Sequence, residues 1–69
     1  MNHAGDRIVM FISIGEIGGL KVLSRAEFLQ EYPDNWRDLL QDGLSMYLGA
    51  NGQLLAHNEA EQRLQGLIS

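Results

Sequence analysis

The stretch Ile8-Val9-Met10-Phe11-Ile12-Ser13-Ile14 is apolar at six of its seven positions and rich in β-branched and aromatic side chains. Residues of that kind suit a pleated surface, so the run predicts a strand. Alternation along a strand places Ile8, Met10, Ile12 and Ile14 on one face, with Val9 and Phe11 on the other. A strand that is apolar on both faces must be covered twice, and a chain of 69 residues has little with which to cover it. A chain this short buries only about 60% of the surface its unfolded form exposes.

The rest of the sequence supplies one hairpin partner, a helical middle, a second hairpin and a closing helix. Gly15-Glu16-Ile17-Gly18-Gly19 reads as a turn, and Leu20-Lys21-Val22-Leu23 as the returning strand. A helix then starts at Ser24. Ser24 is its N-cap, Glu27 the capping-box partner three residues on, and Leu23 and Phe28 are spaced as a hydrophobic staple. Pro33 stops that helix at Glu31 or Tyr32.

A second helix begins at Asp34 or Asn35, with Trp36, Leu39 and Leu40 on one side and Arg37, Asp38, Gln41 and Asp42 on the other. Its end is open to two readings. If Gly43 is the C′ glycine, then Leu44-Ser45-Met46-Tyr47-Leu48 is a strand, Asn51-Gly52 a type I′ turn, and Gln53-Leu54-Leu55-Ala56 the returning strand. If Gly43 lies inside the helix, Leu44 and Tyr47 extend its apolar stripe and Gly49 is the stop. Asn-Gly between apolar runs favours the hairpin. Asn58 with Glu61 opens a last amphipathic helix that carries Ala60, Leu64, Leu67 and Ile68 on one face.

The expected fold is α+β, a small antiparallel sheet of two hairpins with two or three short helices on one face, in the order ββααββα. Residues 1–69 form one domain, and 1–6 are expected as a flexible N-terminal tail. Either a second protein copy or another partner covers the Val9 and Phe11 face, or the chain ends and loops close it. Taken alone, Val9 and Phe11 make a smaller patch than those that mark interfaces.

Charge and missing motifs narrow the function. Nine carboxylates face Lys21, Arg7, Arg25, Arg37 and Arg63, for a formal charge of -4. Scattered cations on an acidic chain argue against direct nucleic-acid binding and against anionic membrane surfaces. With no cysteine in the sequence there is neither a disulfide staple nor a thiolate metal site, which fits a cytoplasmic protein. The apolar run is too short to span a bilayer, and the N-terminus lacks the basic region of a secretion signal.

His57-Asn58-Glu59 echoes the H-x-E of zinc deaminases, but their cysteine pair is missing. The serines lie in no nucleophile-elbow context. The glycines at 15, 18 and 19 lack phosphate-loop spacing, and no calcium loop occurs. No catalytic residue, metal site or cofactor is therefore expected, and the chain is read as a non-enzymatic binding protein.

Its candidate contact residues are acidic. Asp34, Asp38 and Asp42 recur at four-residue steps along the second helix, and Glu27 and Glu31 repeat that step on the first. Such a ridge can imitate a phosphate strand, which suggests a larger protein partner with a basic, nucleic-acid-handling surface. Acids also simply solvate the outer face of a helix. Trp36 beside the ridge is either a core anchor or a half-exposed contact. Small acidic domains without catalytic residues include phage-encoded inhibitors, anti-CRISPR proteins and DNA mimics, an analogy that rests on no motif. The alternative is a self-associating accessory domain that forms a homodimer through its sheet face.

Overall fold

The computed structural model describes residues 3–68, apart from the side chain of Ile14, so the expected place of Ile14 beside Ile8 lies outside the described residues. Its elements run β1 (Arg7–Ile14), β2 (Ile17–Ser24), α1 (Arg25–Glu31), α2 (Trp36–Gln41), β3 (Ser45–Leu48), β4 (Leu54–Leu55) and α3 (His57–Ile68). That is the expected α+β order ββααββα. One antiparallel sheet with strand order β2-β1-β3-β4 unites both hairpins.

The first turn is tighter than the glycines suggest. Ile14 pairs with Ile17 around a two-residue loop in which Gly15 takes φ 63°, the arrangement of a hairpin turn with glycine at its first central position. Because the loop closes after Glu16, Ile17, Gly18 and Gly19 belong to β2 and not to the turn.

At the end of β2 the capping box forms as read. The Ser24 hydroxyl accepts from the Glu27 N–H at 3.2 Å, and the Glu27 carboxylate accepts from the Ser24 N–H at 3.0 Å. Leu23 and Phe28, the staple pair, are both buried. The Tyr32 N–H closes the last turn of α1 onto the Phe28 carbonyl, one residue before Pro33.

Gly43 decides between the two readings of residues 44–48. It sits at φ 77° just past α2. Its N–H donates to Leu40, and the Leu44 N–H donates to Leu39. These are the two bonds of a Schellman ending, so the helix stops and β3 begins.

The turn after β3 differs from a type I′ turn, which needs positive φ at Asn51 as well. Only Gly52 is positive there, at 84°. The Gly52 N–H returns to Gly49 and the Gly49 N–H to Gln53, a three-residue loop with a glycine bulge. The Asn51 side chain accepts from the Gln53 N–H at 3.1 Å and holds the corner. α3 starts one residue before the expected cap. The Ala56 carbonyl accepts its first bond from Ala60, so Asn58 lies inside the first turn.

All three helices lie on one side of the sheet. Ile8, Met10, Leu23 and Tyr47 from the strands meet Phe28, Trp36, Leu40, Ala60 and Leu64 from the helices in a single core. The molecule measures 41 × 27 × 19 Å, a thickness that accommodates the sheet and one layer of helices. Replacement of Ser24 by alanine should lower stability by about 1 kcal/mol in urea unfolding. Adding Glu27→Ala to Ser24→Ala should cost little more, because the two bonds form one unit.

Candidate functional site

Strand register determines what the sheet presents to solvent. Val9 pairs with Val22 on one side and Met46 on the other, Phe11 pairs with Leu20, and Leu48 pairs with Leu54. Directly opposed residues share a face, so these seven apolar side chains line the helix-free face from β2 across to β4. Val9, flanked on both sides, is only 8% exposed, whereas Phe11 is 48%, Leu20 62%, Val22 59% and Leu54 60% exposed. The two-residue patch legible from β1 alone is thus one part of a much broader surface. Ile12, on the opposite face but beyond the reach of the helices, is exposed as well.

The expected acidic ridge is only partly assembled. α2 is six residues long, so Asp34 lies in the turn before it, Asp38 in its first turn and Asp42 at its C-cap. All three are exposed, and among the described residues none of them makes an ion pair.

Glu27 and Glu31 have other work. Glu27 caps α1, where the Ser24 backbone N–H and then its hydroxyl hold the carboxyl below the ordinary range. Glu31 pairs with Lys21 at 3.3 Å.

Of the two readings of Trp36, the structure shows the core anchor that its stripe favours and not the half-exposed contact. At 1% exposure it is a core residue and offers no side-chain contact to a partner. Its place in the 36, 39, 40 stripe turns it inward, with the Arg37 guanidinium 4.1 Å over its ring. Arg37 also approaches Glu61 at 3.9 Å and donates to Gln65, so its charge serves α3 and not the aspartates.

A polar cluster sits where a tail was expected. Met1 and Asn2 lie outside the described residues, but Asp6 is 5% exposed. Its carboxylate accepts from the Tyr47 hydroxyl at 2.7 Å and from Arg63 at 2.9 Å, with His3 at 3.7 Å. This ties the N-terminal segment to β3 and α3. Burial pushes the Asp6 carboxyl up, but the hydrogen bonds from Tyr47 and Arg63 and the arginine charge prevail and hold it below its ordinary value. Burial and then Asp6 push the Tyr47 hydroxyl up to about 12. Neither group is tuned to exchange a proton near neutral pH.

A shallow groove of about 420 Å³ between α2 and α3 is lined by Arg37, Asn58, Glu61, Gln62 and Gln65. Arg37 reaches across it from α2 to both Glu61 and Gln65 on α3. Among the described residues no group of acidic or histidine side chains could hold a metal ion. No helix there is long and apolar enough to cross a membrane. Comparison with protein-family models, curated proteins and solved structures finds no match.

The Asp6 cluster makes stability depend on pH at both extremes. A carboxyl depressed in the folded state contributes fully above its unfolded value of about 3.9, and the contribution is lost as pH falls through the folded value. Tyr47, raised to about 12, contributes fully below its unfolded value, and that stability is lost as pH rises towards 12. Urea unfolding of Asp6→Asn should show lower stability at pH 7 and a flatter acid limb than the wild type. Tyr47→Phe should flatten the alkaline limb.

Proposed function

We propose that this domain is a non-enzymatic binding protein whose contact surface is the open apolar face of its sheet. The observation that carries this reading is the exposure of Phe11, Leu20, Val22 and Leu54 on one face, opposite the helical layer. Isolated apolar residues are ordinary on protein surfaces, but a contiguous apolar face is the kind of feature that marks an interaction site. Support also comes from the buried polar groups. The Asp6, Tyr47 and Arg63 side chains are mutually satisfied, which suits a scaffold more than a reacting centre.

A second reading keeps the acidic strip as the contact, with a larger, basic, nucleic-acid-handling protein as the partner, in the manner of a phage-encoded inhibitor or DNA mimic. It is favoured by the exposure of Asp34, Asp38 and Asp42 without ion pairs among the described residues. Their unneutralised charge would speed association with a basic surface and make it salt-sensitive.

Two variants separate the readings. Phe11→Thr/Leu20→Thr/Val22→Thr alters the open face, and Asp38→Lys/Asp42→Lys reverses the strip. Each is compared with wild type for capture of partners from the native host, at dilute protein and two salt concentrations. The apolar-face reading predicts loss of the captured partner with the threonine variant and retention with the lysine variant; the reverse pattern selects the acidic strip. Exposed positions should each change folding stability by no more than about 0.5 kcal/mol. A much larger loss in the threonine variant would mean that the face serves the domain's own fold.

A further inference from the structure

We infer that the open sheet edge at β2 pairs antiparallel with β2 of a second copy of this chain, so that two four-stranded sheets join into one. The inference rests on the apolar-face reading above and names an occupant for the edge of that face.

β2 is the edge strand of the sheet, eight residues long, exposed at every position but Leu23. Backbone groups in an antiparallel ladder alternate in direction. The Phe11 N–H donates towards the β3 side, to Leu44, so the odd residues of β1 face β3 and the even ones face β2. The residues paired with those even positions, Ile17, Gly19, Lys21 and Leu23, therefore use their N–H and C=O groups within the hairpin. Gly18, Leu20, Val22 and Ser24 direct theirs outward. The Ser24 N–H is taken by Glu27, which leaves Gly18, Leu20 and Val22 as a row of donors and acceptors without a partner among the described residues. Edges of this kind are usually blunted by proline, a bulge or charge. β2 has no proline and pairs continuously with β1 without a bulge. Its one charged residue, Lys21, is engaged with Glu31 of its own chain.

The strand is suited to its own copy in one register. With Leu20 opposite the partner's Leu20, residues 17–23 of both chains overlap, Gly18 faces the partner's Val22, and Lys21 faces the partner's Gly19. Shifting the centre to Lys21 sets two lysines face to face, which is unfavourable. Shifting it to Val22 shortens the overlap and calls on the Ser24 N–H that Glu27 already holds. In the favoured register no carboxylate lies on the paired strands, although the chain carries a net charge of -4. The two Leu20 side chains then meet across the two-fold axis on the open face, each flanked by Phe11 of its own copy.

The chain contains no cysteine, so one introduced residue gives an unambiguous report. Leu20→Cys should form an intermolecular disulfide on mild oxidation of the full chain, because directly opposed residues lie at disulfide distance. Val22→Cys, displaced along the strand from its own copy, should not. Light scattering should find a dimer for wild type and a monomer for Leu20→Lys, which sets like charges face to face at an exposed position.

A monomeric wild type at millimolar concentration overturns the inference. So does a dimer indifferent to Leu20→Lys, or one cross-linked through Val22→Cys but not Leu20→Cys. Capture of a host partner by dilute monomer, lost in the threonine variant, would then leave the contact-face reading standing without the second copy.

Discussion

Antiparallel pairing of Arg7–Met10 with Ser45–Leu48 is the contact on which the rest of this structure depends. It joins two hairpins that would each be marginal in water into one four-stranded sheet. It also sorts the side chains: Ile8 and Tyr47 turn together towards the helices, while Val9 and Met46 turn together to the other side. Helices of seven, six and twelve residues form one layer, so the fold closes a core on one face and leaves open the other, on which Arg7 sits beside the apolar residues.

The Asp6 cluster stabilises the closed side by a different route. Its carboxylate is held by a strand residue and a helix residue far apart in sequence, Tyr47 and Arg63, and so locks β3 and α3 to the start of β1. A buried charge is tolerable only when paired and hydrogen-bonded, and Asp6 is both. The N-terminal segment thus contributes to the packed side of the molecule.

Elements governed by local chemistry were legible in the sequence. Ser24, Glu27, Leu23 and Phe28 announce the start of α1 within a six-residue window, and Asn51-Gly52 between apolar runs favours the reading in which α2 ends at Gly43. What depended on register was not. Leu20, Val22, Met46, Leu48 and Leu54 join Val9 and Phe11 only once strand order and pairing are known, and periodicity along one strand cannot supply those. The Asp6 contacts were hidden for the same reason, since nothing near residue 6 points to residues 47 and 63. The short α2 likewise interrupts the expected ridge, because spacing by four marks a line only where a helix is present at all three positions.

On the proposed reading, the apolar sheet face, or alternatively the aspartates around α2 that make no ion pair among the described residues, would act through contact and not through a reacting centre. On the same reading, the open face and its β2 edge are covered by a second copy of the chain. Amide hydrogen exchange along β2 tests it most directly. In dilute protein, Gly19, Lys21 and Leu23 should be protected by the hairpin while Gly18, Leu20 and Val22 exchange freely. At high concentration those three should become protected as well. Free exchange at Gly18, Leu20 and Val22 at every concentration would contradict self-pairing at the edge, and protection already complete at high dilution would mean that the chain covers the edge itself.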